Sequence, residues 1–572
     1  MSVIDEAQAW IAQDPDPNTR RELEVLIERD DHPALEARFA GSLKFGTAGL
    51  RGVLGAGPNR MNRVTVMRAT SGLCAWLKRQ VPNAATRGIC IGRDARTQSD
   101  VFAQDAIEVA LGSGIRVWTF SSVVPTPVVA FSVLELGAGG GVMITASHNP
   151  PEYNGYKVYW ENGAQIIPPN DLGVAREIEL APPVNELPRL SMAEGRERGL
   201  LRDADHLVGV YVDLVASAAQ RTNQRSEVRV AYTALHGVAE GPLRDVLSRV
   251  GFCQVQSVVE QATPDGRFPT VAFPNPEEPG AMDAVLALGL AIDADVVIAN
   301  DPDGDRLAVS VAHEGTYEPL SGDEIGILLA DDLLTVHADI DKPLVISTVV
   351  SSPMLGLVAA SHGARWEQTL TGHKWIQNRA LELEREGYHY IFGYEEALGY
   401  APLSSIRDKD GISSAFMIID LASRLKARGK TLINALESLW KAHGMFQGMQ
   451  LTRRFEGPDA QARMAERIEE LRRKPPTEIG GQPVTTIIDL GRQVKWTPSG
   501  EAPCEGLAKS EVLIFELEGN HQAMVRPSGT EPKLKWYLHS YASTRLGLGQ
   551  AREQAAGVLD RMAEDLERIV SH

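Results

Sequence analysis

Short apolar segments alternate with longer segments of helical periodicity over most of the chain. Between residues 89 and 120 the pattern predicts a strand at 89–94, a helix at 99–114 that ends at glycine, and a strand at 115–120. The same pattern predicts further strands at 228–235, 255–260, 294–300 and 344–348. Such alternation is typical of βαβ units with mostly parallel sheets.

Changes of composition along the chain predict four domains, a number that also suits a length of 572 residues. A proline-rich segment at 180–190 predicts the exit from the first domain, and 262–280 predicts a long loop inside the second. Near Gly444 the pattern changes to a charged helix at 458–474 followed by strands of antiparallel character. The predicted domains, three of the α/β class and a C-terminal α+β domain, are 1–205, 206–322, 323–445 and 446–572.

The balance of charge disfavours two broad classes of partner. The formal net charge is −18, whereas a general binder of nucleic acid or of anionic membranes needs a basic surface. A small anionic substrate needs only a local group of cations. No segment predicts a membrane span, and the acidic N-terminus lacks the layout of a signal peptide. The four cysteines have no metal-binding or redox spacing, so we expect a cytoplasmic protein.

The strongest local signal for chemistry is NDPDGDR, which directly follows the predicted buried strand at 294–300. Loops at the carboxyl ends of parallel strands are where α/β sheets bind their ligands. Asp301, Asp303 and Asp305 alternate, so an irregular loop can direct their carboxylates to one point. Mg²⁺ prefers such oxygen ligands. An EF-hand calcium loop does not fit, because it requires glycine at its sixth position and glutamate at its twelfth. An exposed acidic turn is the remaining alternative.

A second signal is the strand-like run that ends at Ser147 and His148 in TASHNPPEYNGYK. No Gly-x-Ser-x-Gly motif or nearby triad accompanies this serine, and we expect the neighbouring side chains of Ser147 and His148 to diverge. A serine at the end of a strand, combined with a metal loop, favours a phosphoryl carrier over an acyl nucleophile. The alternative is a serine that caps a following helix.

Two segments have the composition of anion-binding loops. The Gly-rich segment 45–60 contains Arg51, and the segment 524–538 (MVRPSGTEPKLKWYL) contains an arginine, hydroxyl groups and a lysine around a glycine. Such groups together form phosphate-binding nests. Neither segment matches a Walker A loop and no G-x-G-x-x-G opens a helix, so the sequence does not support ATP or NAD as the main cofactor. Each segment alone is also compatible with an ordinary turn.

Three further segments are candidates for sugar binding: TGHKW at 371–375, FGYEEALGY at 392–400 and RDKDG at 407–411. The carboxylates of Glu395 and Glu396 can accept hydrogen bonds from sugar hydroxyls. The alternative is that both are exposed acids at the start of a helix.

Together these motifs resemble those of the α-D-phosphohexomutase superfamily, the phosphoglucomutases and phosphomannomutases, over essentially the whole chain. Five motifs agree in content and order: GTAGLRG, TASHNPPEYNGYK, DPDGDR, GYEEALGY and RPSGTEPK. Their forms are most similar to the phosphoglucomutase-2 and phosphopentomutase-like branch. Ala397 departs from the serine of other branches. The resemblance implies a heart-shaped, four-domain architecture, with three α/β domains of mixed, mostly parallel sheets and a C-terminal α+β domain.

The resemblance also implies a role for individual residues. Ser147 would carry the phosphoryl group, and one Mg²⁺ per subunit would be bound by Ser147, Asp301, Asp303 and Asp305. The residues implied in catalysis are Ser147, His148, Lys157, Arg51 and Lys409, with the two lysines as proton-transfer candidates. Those implied in substrate binding are Arg306, Gly372, His373, Glu395, Arg526, Ser528, Gly529, Thr530 and Lys533.

The implied activity is that of an isomerase that interconverts glucose 1-phosphate and glucose 6-phosphate through a phosphorylated Ser147 and a bisphosphorylated sugar. Phosphopentomutase, phosphomannomutase and glucose 1,6-bisphosphate synthase are the alternatives. A phosphatase is disfavoured by the second phosphate-binding loop, and a silent sugar-phosphate binder by the presence of Ser147 and all three aspartates. We expect an activator of the glucose 1,6-bisphosphate type, a phosphosugar substrate, a monomer or weak homodimer, and no nucleic-acid or membrane partner.

Overall fold

The computed structural model of the chain describes residues 2–47, 49–220, 225–457, 459–504, 506–528 and 533–571. The chain divides into two compact units. The first unit contains Met1–Leu320 and Leu398–Gly429, and the second contains Ser321–Ala397 and Lys430–His572.

The N-terminal part of the first unit contains a six-stranded sheet in the order β1-β5-β4-β2-β3-β6. Its strands are β1 (Leu50–Val53), β2 (Ile89–Arg93), β3 (Val117–Thr119), β4 (Gly140–Ile144), β5 (Tyr153–Trp160) and β6 (Leu201–Asp203). Its helices are α1 (Val3–Gln13), α2 (Pro17–Glu28), α3 (His32–Phe39), α4 (Arg63–Gln80), α5 (Ala84–Arg87), α6 (Ser99–Gly112), α7 (Thr126–Glu135), α8 (Asn170–Leu180) and α9 (Met192–Glu197). The strands β4, β2, β3 and β6 are parallel, whereas β5 is antiparallel to β4 and to β1. Every residue of β4 is buried, which explains its continuously apolar sequence.

A five-stranded sheet follows in the same unit, in the order β11-β10-β9-β7-β8. Its strands are β7 (Arg229–Thr233), β8 (Gln254–Ser257), β9 (Val296–Asn300), β10 (Leu307–His313) and β11 (Thr316–Pro319). Its helices are α10 (His206–Ser217), α11 (Glu240–Arg249) and α12 (Asp283–Ile292). β7 is parallel to β8 and β9, and β9 pairs with β10 in an antiparallel hairpin. The aspartate-rich segment 301–306 is the connection of this hairpin, so its position is fixed at both ends by buried strands.

The residues of the third α/β segment are divided between the two units. Its elements are α13 (Gly322–Val336), β12 (Pro343–Thr348), α14 (Met354–Ser361), β13 (Arg365–Thr369), α15 (His373–Arg385), β14 (His389–Glu395), β15 (Gly399–Ala401), α16 (Gly411–Lys426) and α17 (Leu432–His443). Of these, β15 and α16 belong to the first unit. In the second unit, β12 lies between β13 and β14 and is parallel to both.

The C-terminal part of the second unit is an α+β domain with an antiparallel sheet in the order β16-β23-β22-β21-β18-β19-β20, and β17 pairs with β18. Its elements are β16 (Met445–Arg454), α18 (Ala460–Arg473), β17 (Glu478–Ile479), β18 (Gln482–Asp489), β19 (Val494–Thr497), β20 (Gly500–Pro503), β21 (Leu513–Leu517), β22 (His521–Pro527), β23 (Lys533–Ala542) and α19 (Leu548–Ser571). Met464 of α18 and Met562 of α19 share one buried cluster with Phe515 and Trp536 of the sheet. The fold therefore confirms three α/β segments followed by an α+β segment, while the domain boundaries drawn from the sequence stay predictions.

Candidate active site

The connection between β9 and β10 brings the three predicted metal ligands together. Asp301, Asp303 and Asp305 are fully buried, and one carboxylate oxygen of each lies within 4.8 Å of the others. The alternative of an exposed acidic turn is therefore wrong. Burial, together with the charges of Asp303 and Asp305, raises the pKa of Asp301 well above its ordinary value. Three buried carboxylates of like charge need cations beside them.

Two carboxylate oxygens of this cluster have the character of open metal ligands. Oδ1 of Asp303 and Oδ1 of Asp305 are buried without a hydrogen-bond partner. Buried acceptors of this kind are costly unless they are satisfied. A magnesium ion would satisfy both with the hard oxygen ligands that it prefers. The residues present therefore fit Mg²⁺.

Ser147 lies in the hairpin between β4 and β5, within hydrogen-bonding distance of this cluster. Its Oγ donates to Oδ2 of Asp301 at 2.9 Å, and the residue is 3% exposed. Its backbone is left-handed, with φ of 55°. A non-glycine residue in this region is strained and is held there by its surroundings. The next helix begins at Asn170, so the alternative that Ser147 caps a following helix is wrong.

His148 corrects one expectation from the sequence. Its Nδ1 lies 3.3 Å from Oγ of Ser147, so the two neighbouring side chains meet instead of diverging. The left-handed turn at Ser147 accounts for this, because it changes the direction of the chain between the two residues. Burial and the charges of Arg306 and Arg51 lower the pKa of His148 well below its usual range. The imidazole is therefore neutral at physiological pH.

Two lysines bring positive charge to the aspartates. Nζ of Lys157, on β5, donates to Oδ2 of Asp303 at 2.7 Å and to Oδ2 of Asp305 at 2.8 Å. Nζ of Lys409 lies 3.3 Å from Oδ2 of Asp305. Burial opposes the charged form of Asp305, but the two lysines outweigh it and lower the pKa of this carboxyl. Three carboxylates nevertheless outnumber two ammonium groups.

Two predicted arginines belong to the same unit and border this arrangement. Arg51 lies on β1, opposite Gly155 of β5, and its Nη1 donates to Oδ1 of Asn149 at 2.9 Å. The backbone amide of Arg306 donates to Oδ1 of Asp301 at 2.9 Å, and its Nη1 donates to Glu277 at 3.2 Å. The structure thus brings together all predicted catalytic and metal-binding residues, together with Arg306, in the first unit.

Arg96 organises the Ser147 hairpin, and the sequence did not indicate it. Its guanidinium donates to the backbone carbonyls of Ser147 at 2.6 Å and Pro150 at 2.8 Å, and it also bonds those of Asn149 and Tyr153. The side chain is 1% exposed. One buried cation therefore collects four carbonyl oxygens of the loop that holds Ser147.

Asp94 supports this clamp from the end of β2. Its Oδ2 lies 3.4 Å from Nε of Arg96 and accepts from the hydroxyl of Thr145 at 2.6 Å. The same hydroxyl accepts from the amide of Ser147 at 2.9 Å. The segment IGRDAR at 91–96 contains both residues, but it lies about fifty residues from the hairpin in sequence. Only the tertiary contacts show that it positions Ser147.

Two tyrosines, also missed, fix the loop that carries Lys409. The hydroxyl of Tyr159 donates to Oδ2 of Asp408 at 2.7 Å, and that of Tyr211 donates to Oδ1 of Asp410 at 2.7 Å. Both tyrosines are fully buried. Burial and the neighbouring carboxylates raise the pKa of both phenols, so they remain donors. The residues on either side of Lys409 in the sequence, Asp408 and Asp410, are thus both fixed by hydrogen bonds.

The predicted sugar-binding residues lie in the second unit. Oε1 of Glu395, at the end of β14, accepts from the amide of Gly372 at 2.8 Å, and its Oε2 lies 3.7 Å from Nδ1 of His373. Gly372 has φ of 116°, which favours glycine, and directly precedes α15. Glu395 thus lies at a helix N-terminus, where a carboxylate is favoured.

Glu396 is held by the hydroxyls of Thr348 and Ser351, at 3.1 and 3.3 Å. Desolvation and the nearby carboxylates of Glu395 and Asp323 raise the pKa of Glu396 to about 7. Glu395 is the last residue of β14 and Glu396 directly follows it, so the alternative that they start a helix is wrong.

The predicted phosphate-binding residues are described in part. Nη2 of Arg526 donates to the hydroxyl of Tyr537 at 3.1 Å, and the amide of Ser528 donates to the carbonyl of Lys533 at 2.8 Å. Gly529 and Thr530 lie outside the described residues. Ser528 directly follows β22, and Lys533 is the first residue of β23.

Three family models match the chain. They are described as the α/β/α domains I, II and III of phosphoglucomutase/phosphomannomutase, and they match residues 42–182, 209–315 and 321–443. Together the matches cover more than half of the chain. The chain belongs to this family of phosphosugar mutases.

Relatives of this mutase support the family and indicate its branch. The probable phosphoribomutase of Schizosaccharomyces pombe is 37% identical over 545 residues, which cover 92% of each chain. The phosphopentomutase of Mus musculus is 34% identical over 568 residues, which cover 93% of this chain and 89% of the relative. These findings confirm the superfamily and the phosphoglucomutase-2 and phosphopentomutase-like branch.

A solved structure supports the fold of the mutase. The putative phosphomannomutase from Thermus thermophilus has a TM-score of 0.67 at 20% identity, and the match covers 93% of this chain and 100% of the other. At this identity the likeness concerns the fold alone. Among the described residues, no helix has the length and apolar character that a membrane span requires.

Proposed function

We propose that the chain is a Mg²⁺-dependent mutase that moves a phosphoryl group between the C1 and C5 hydroxyls of a pentose, with Ser147 as the phosphoryl carrier. The observation that supports this most directly is the position of Ser147. Its hydroxyl is buried and lies 2.9 Å from a carboxylate of the aspartate cluster. A serine held beside a site that suits magnesium is arranged for phosphoryl transfer.

The reaction conserves phosphoryl groups. The phosphate ester of Ser147 breaks as its phosphoryl passes to the free hydroxyl of the sugar monophosphate, which becomes a bisphosphate, and the proton of that hydroxyl passes to Oγ of Ser147. The other phosphoryl of this bisphosphate then passes to Oγ of Ser147, and the proton of Oγ passes to the departing sugar oxygen. The product is the isomeric monophosphate, and Ser147 is phosphorylated again.

In this proposal Asp301, Asp303 and Asp305 would hold Mg²⁺ beside Ser147. When bound, the ion neutralises negative charge on the transferring phosphoryl group. Lys157, Lys409, Arg51 and Arg306 add fixed positive charge around the same group, a contribution that preorganised sites make without reorganisation.

We assign recognition of the rest of the substrate to the second unit. Glu395, with Gly372 and His373 beside it, would accept hydrogen bonds from sugar hydroxyls. The phosphate that does not react would bind to Arg526, Ser528, Gly529, Thr530 and Lys533. Arginine forks and hydroxyls suit a phosphate. A phosphate site of this kind has no role in a simple phosphatase.

The preference for a pentose replaces the preference for glucose that the motifs suggested. Two points support it: the named activities of the phosphoribomutase and phosphopentomutase relatives, and Ala397, at a position where the resemblance of the motifs implies a sugar-contacting serine in other branches of the family. A site that loses one hydrogen-bonding hydroxyl loses one means of holding the larger hexose. Cytoplasmic location, a monomer or weak homodimer, and the domain boundaries stay predictions.

The test is a comparison of kcat/KM for ribose 1-phosphate, deoxyribose 1-phosphate, glucose 1-phosphate and mannose 1-phosphate, with Mg²⁺ and a trace of glucose 1,6-bisphosphate. We expect a pentose 1-phosphate to give the highest value by at least about tenfold, which corresponds to roughly 1.4 kcal/mol of transition-state binding. A clear lead for glucose would overturn the pentose assignment and leave the mutase assignment intact. Turnover of none of the four would overturn both.

A further inference from the structure

The second unit contains a cavity that has no role in the proposed reaction. It has a volume of about 320 Å³ and lies among the start of α13, the helix α17, the strand β16 and the helix α19. We name it the α13–β16 cavity. Its volume is at the lower end of the range for small-molecule pockets. Its chemistry indicates what it would bind.

The charged groups of the cavity are all acidic. Asp323, Glu324 and Asp560 line it, and no lysine or arginine does so within the part of the chain that the structure describes. Glu324 is engaged in capping α13. Asp560 is exposed and has no hydrogen bond or ion pair among the described residues. An acidic cluster alone does not define a site, so a second observation is needed.

That second observation is the imidazole of His539, which is 3% exposed. Its Nε2 lies 2.9 Å from the carbonyl oxygen of Val350. A carbonyl only accepts, so Nε2 carries the proton and Nδ1 of the neutral ring is an acceptor. Nδ1 is buried and has no hydrogen-bond partner. A buried acceptor of this kind is normally paired with a hydrogen-bond donor.

Gly448 relates this acceptor to the cavity. It lines the cavity and pairs with His539 across β16 and β23. A Cβ added at Gly448 would lie 3.4 Å from Nδ1 of His539 and 3.6 Å from Oδ2 of Asp323. The missing side chain therefore leaves a space bordered by a buried imidazole acceptor and a carboxylate oxygen.

Asp323 connects this space to the predicted sugar-binding loop. Its Oδ1 accepts from the amide of Ser352 at 2.7 Å and from the hydroxyl of Tyr394 at 2.9 Å. Tyr394 immediately precedes Glu395. Oδ2, which faces Gly448, takes no part in these bonds. The carboxylate of Asp323 thus fixes β14, the strand that ends at Glu395, through Oδ1, while its Oδ2 faces the cavity.

The remaining walls suit an apolar body. Trp440, Phe446, Met449 and Leu559 line the cavity. The guanidinium of Arg552, which is outside the lining, lies 5.5 Å from the centroid of the Trp440 ring. A metal ion is a poorer match than an organic ligand. Among the described residues, only Asp301, Asp303 and Asp305 form a group of three close metal-ligating side chains.

We propose that the α13–β16 cavity binds a small organic cation, with an ammonium group between Asp323 and His539 and an aromatic or aliphatic body against Trp440 and Phe446. The ammonium donates to Oδ2 of Asp323 and to Nδ1 of His539. Asp560 adds attraction at longer range. This site is separate from the phosphoryl-transfer residues, and the proposal does not depend on the preferred sugar.

The test uses two probes with the same ring system and opposite charge, tryptamine and indole-3-acetate. Their binding to the full-length protein is measured by isothermal titration calorimetry. We expect tryptamine to bind at least tenfold more tightly than indole-3-acetate and its affinity to fall with added salt. Equal affinities for the two probes, or no heat with either, would overturn the proposal.

Matched variants locate the bound tryptamine. Asp560→Asn is expected to weaken it about threefold to tenfold, whereas Glu553→Gln, an equal change of charge on the same helix and outside the lining, should not. Gly448→Leu fills the space and should abolish binding, while Thr452→Leu on the same strand should not. Thermal unfolding of each variant checks that it is folded. Equal losses in a variant and its control would show attraction by net charge alone and reject the site.

Discussion

At the level of single residues, the most informative atoms are the two carboxylate oxygens without partners in the aspartate cluster. Oδ1 of Asp303 and Oδ1 of Asp305 are buried and unpaired, although Lys157 binds the other oxygen of each residue. The lysine alone therefore does not satisfy the cluster. A divalent cation would satisfy the remaining acceptors and reduce the repulsion among three buried charges.

This predicts that Mg²⁺ stabilises the protein through these residues. At one hundred times its dissociation constant, a ligand that binds only the native state contributes about 2.7 kcal/mol to the free energy of unfolding. We expect Mg²⁺ to raise the midpoint of thermal unfolding of the wild type, measured by differential scanning fluorimetry. Asp303→Asn should lose most of this increase, whatever its midpoint without the metal.

The matched control is Asp245→Asn, an exposed aspartate in the same unit. It should respond to Mg²⁺ as the wild type does. An undiminished response in Asp303→Asn would place the ion elsewhere in the molecule and contradict the assignment.

At the level of elements, the hairpin between β4 and β5 owes its shape to Arg96. The two terminal nitrogens of the guanidinium bind four carbonyl oxygens of the hairpin, two each, as the planar fork of arginine allows. A lysine keeps the charge that balances Asp94 but lacks the fork. Arg96→Lys should therefore leave the protein folded while Ser147 loses its position.

We expect Arg96→Lys to lower kcat on the order of 10²-fold, the cost of a misplaced reacting group, with little change in KM. The rate at which Ser147 takes up a phosphoryl group from glucose 1,6-bisphosphate, followed by mass spectrometry, should fall in parallel. Arg116→Lys is the control, since Arg116 also binds a backbone carbonyl, that of Thr86 in α5, away from Ser147. A comparable fall of kcat in both variants would mean that Arg96 acts on general stability only.

The elements of the first unit also show how much of the fold and of the candidate site the sequence predicts. The strand predicted at 294–300 is observed as Val296–Asn300, and the aspartate cluster follows because residue spacing and a strand end determine it locally. The pairing of His148 with Ser147 was missed because it depends on a left-handed φ that the motif does not reveal. Arg96, Tyr159 and Tyr211 were missed because their partners lie far away in sequence.

At the level of the whole molecule, the residues assigned to chemistry and those assigned to recognition belong to different compact units. Ser147 and the aspartates are in the first unit, whereas Glu395 and Arg526 are in the second. Under the proposed function, a change in the first unit should reduce the rate of the chemical step. A change in the second unit should reduce the affinity for substrate.

Two variants test this division of roles. Ser147→Ala should lower kcat by on the order of 10³-fold or more, because the phosphoryl carrier is lost, while binding of ribose 5-phosphate measured by calorimetry changes little. Normal turnover by Ser147→Ala would remove Ser147 as the carrier.

Arg526→Ala should raise KM by roughly tenfold to a hundredfold, because a charge-assisted contact with the distal phosphate is worth about 1.5–3 kcal/mol. Arg545→Ala, at an exposed arginine of the same unit, controls for the loss of charge. An unchanged KM in Arg526→Ala would show that the distal phosphate binds elsewhere.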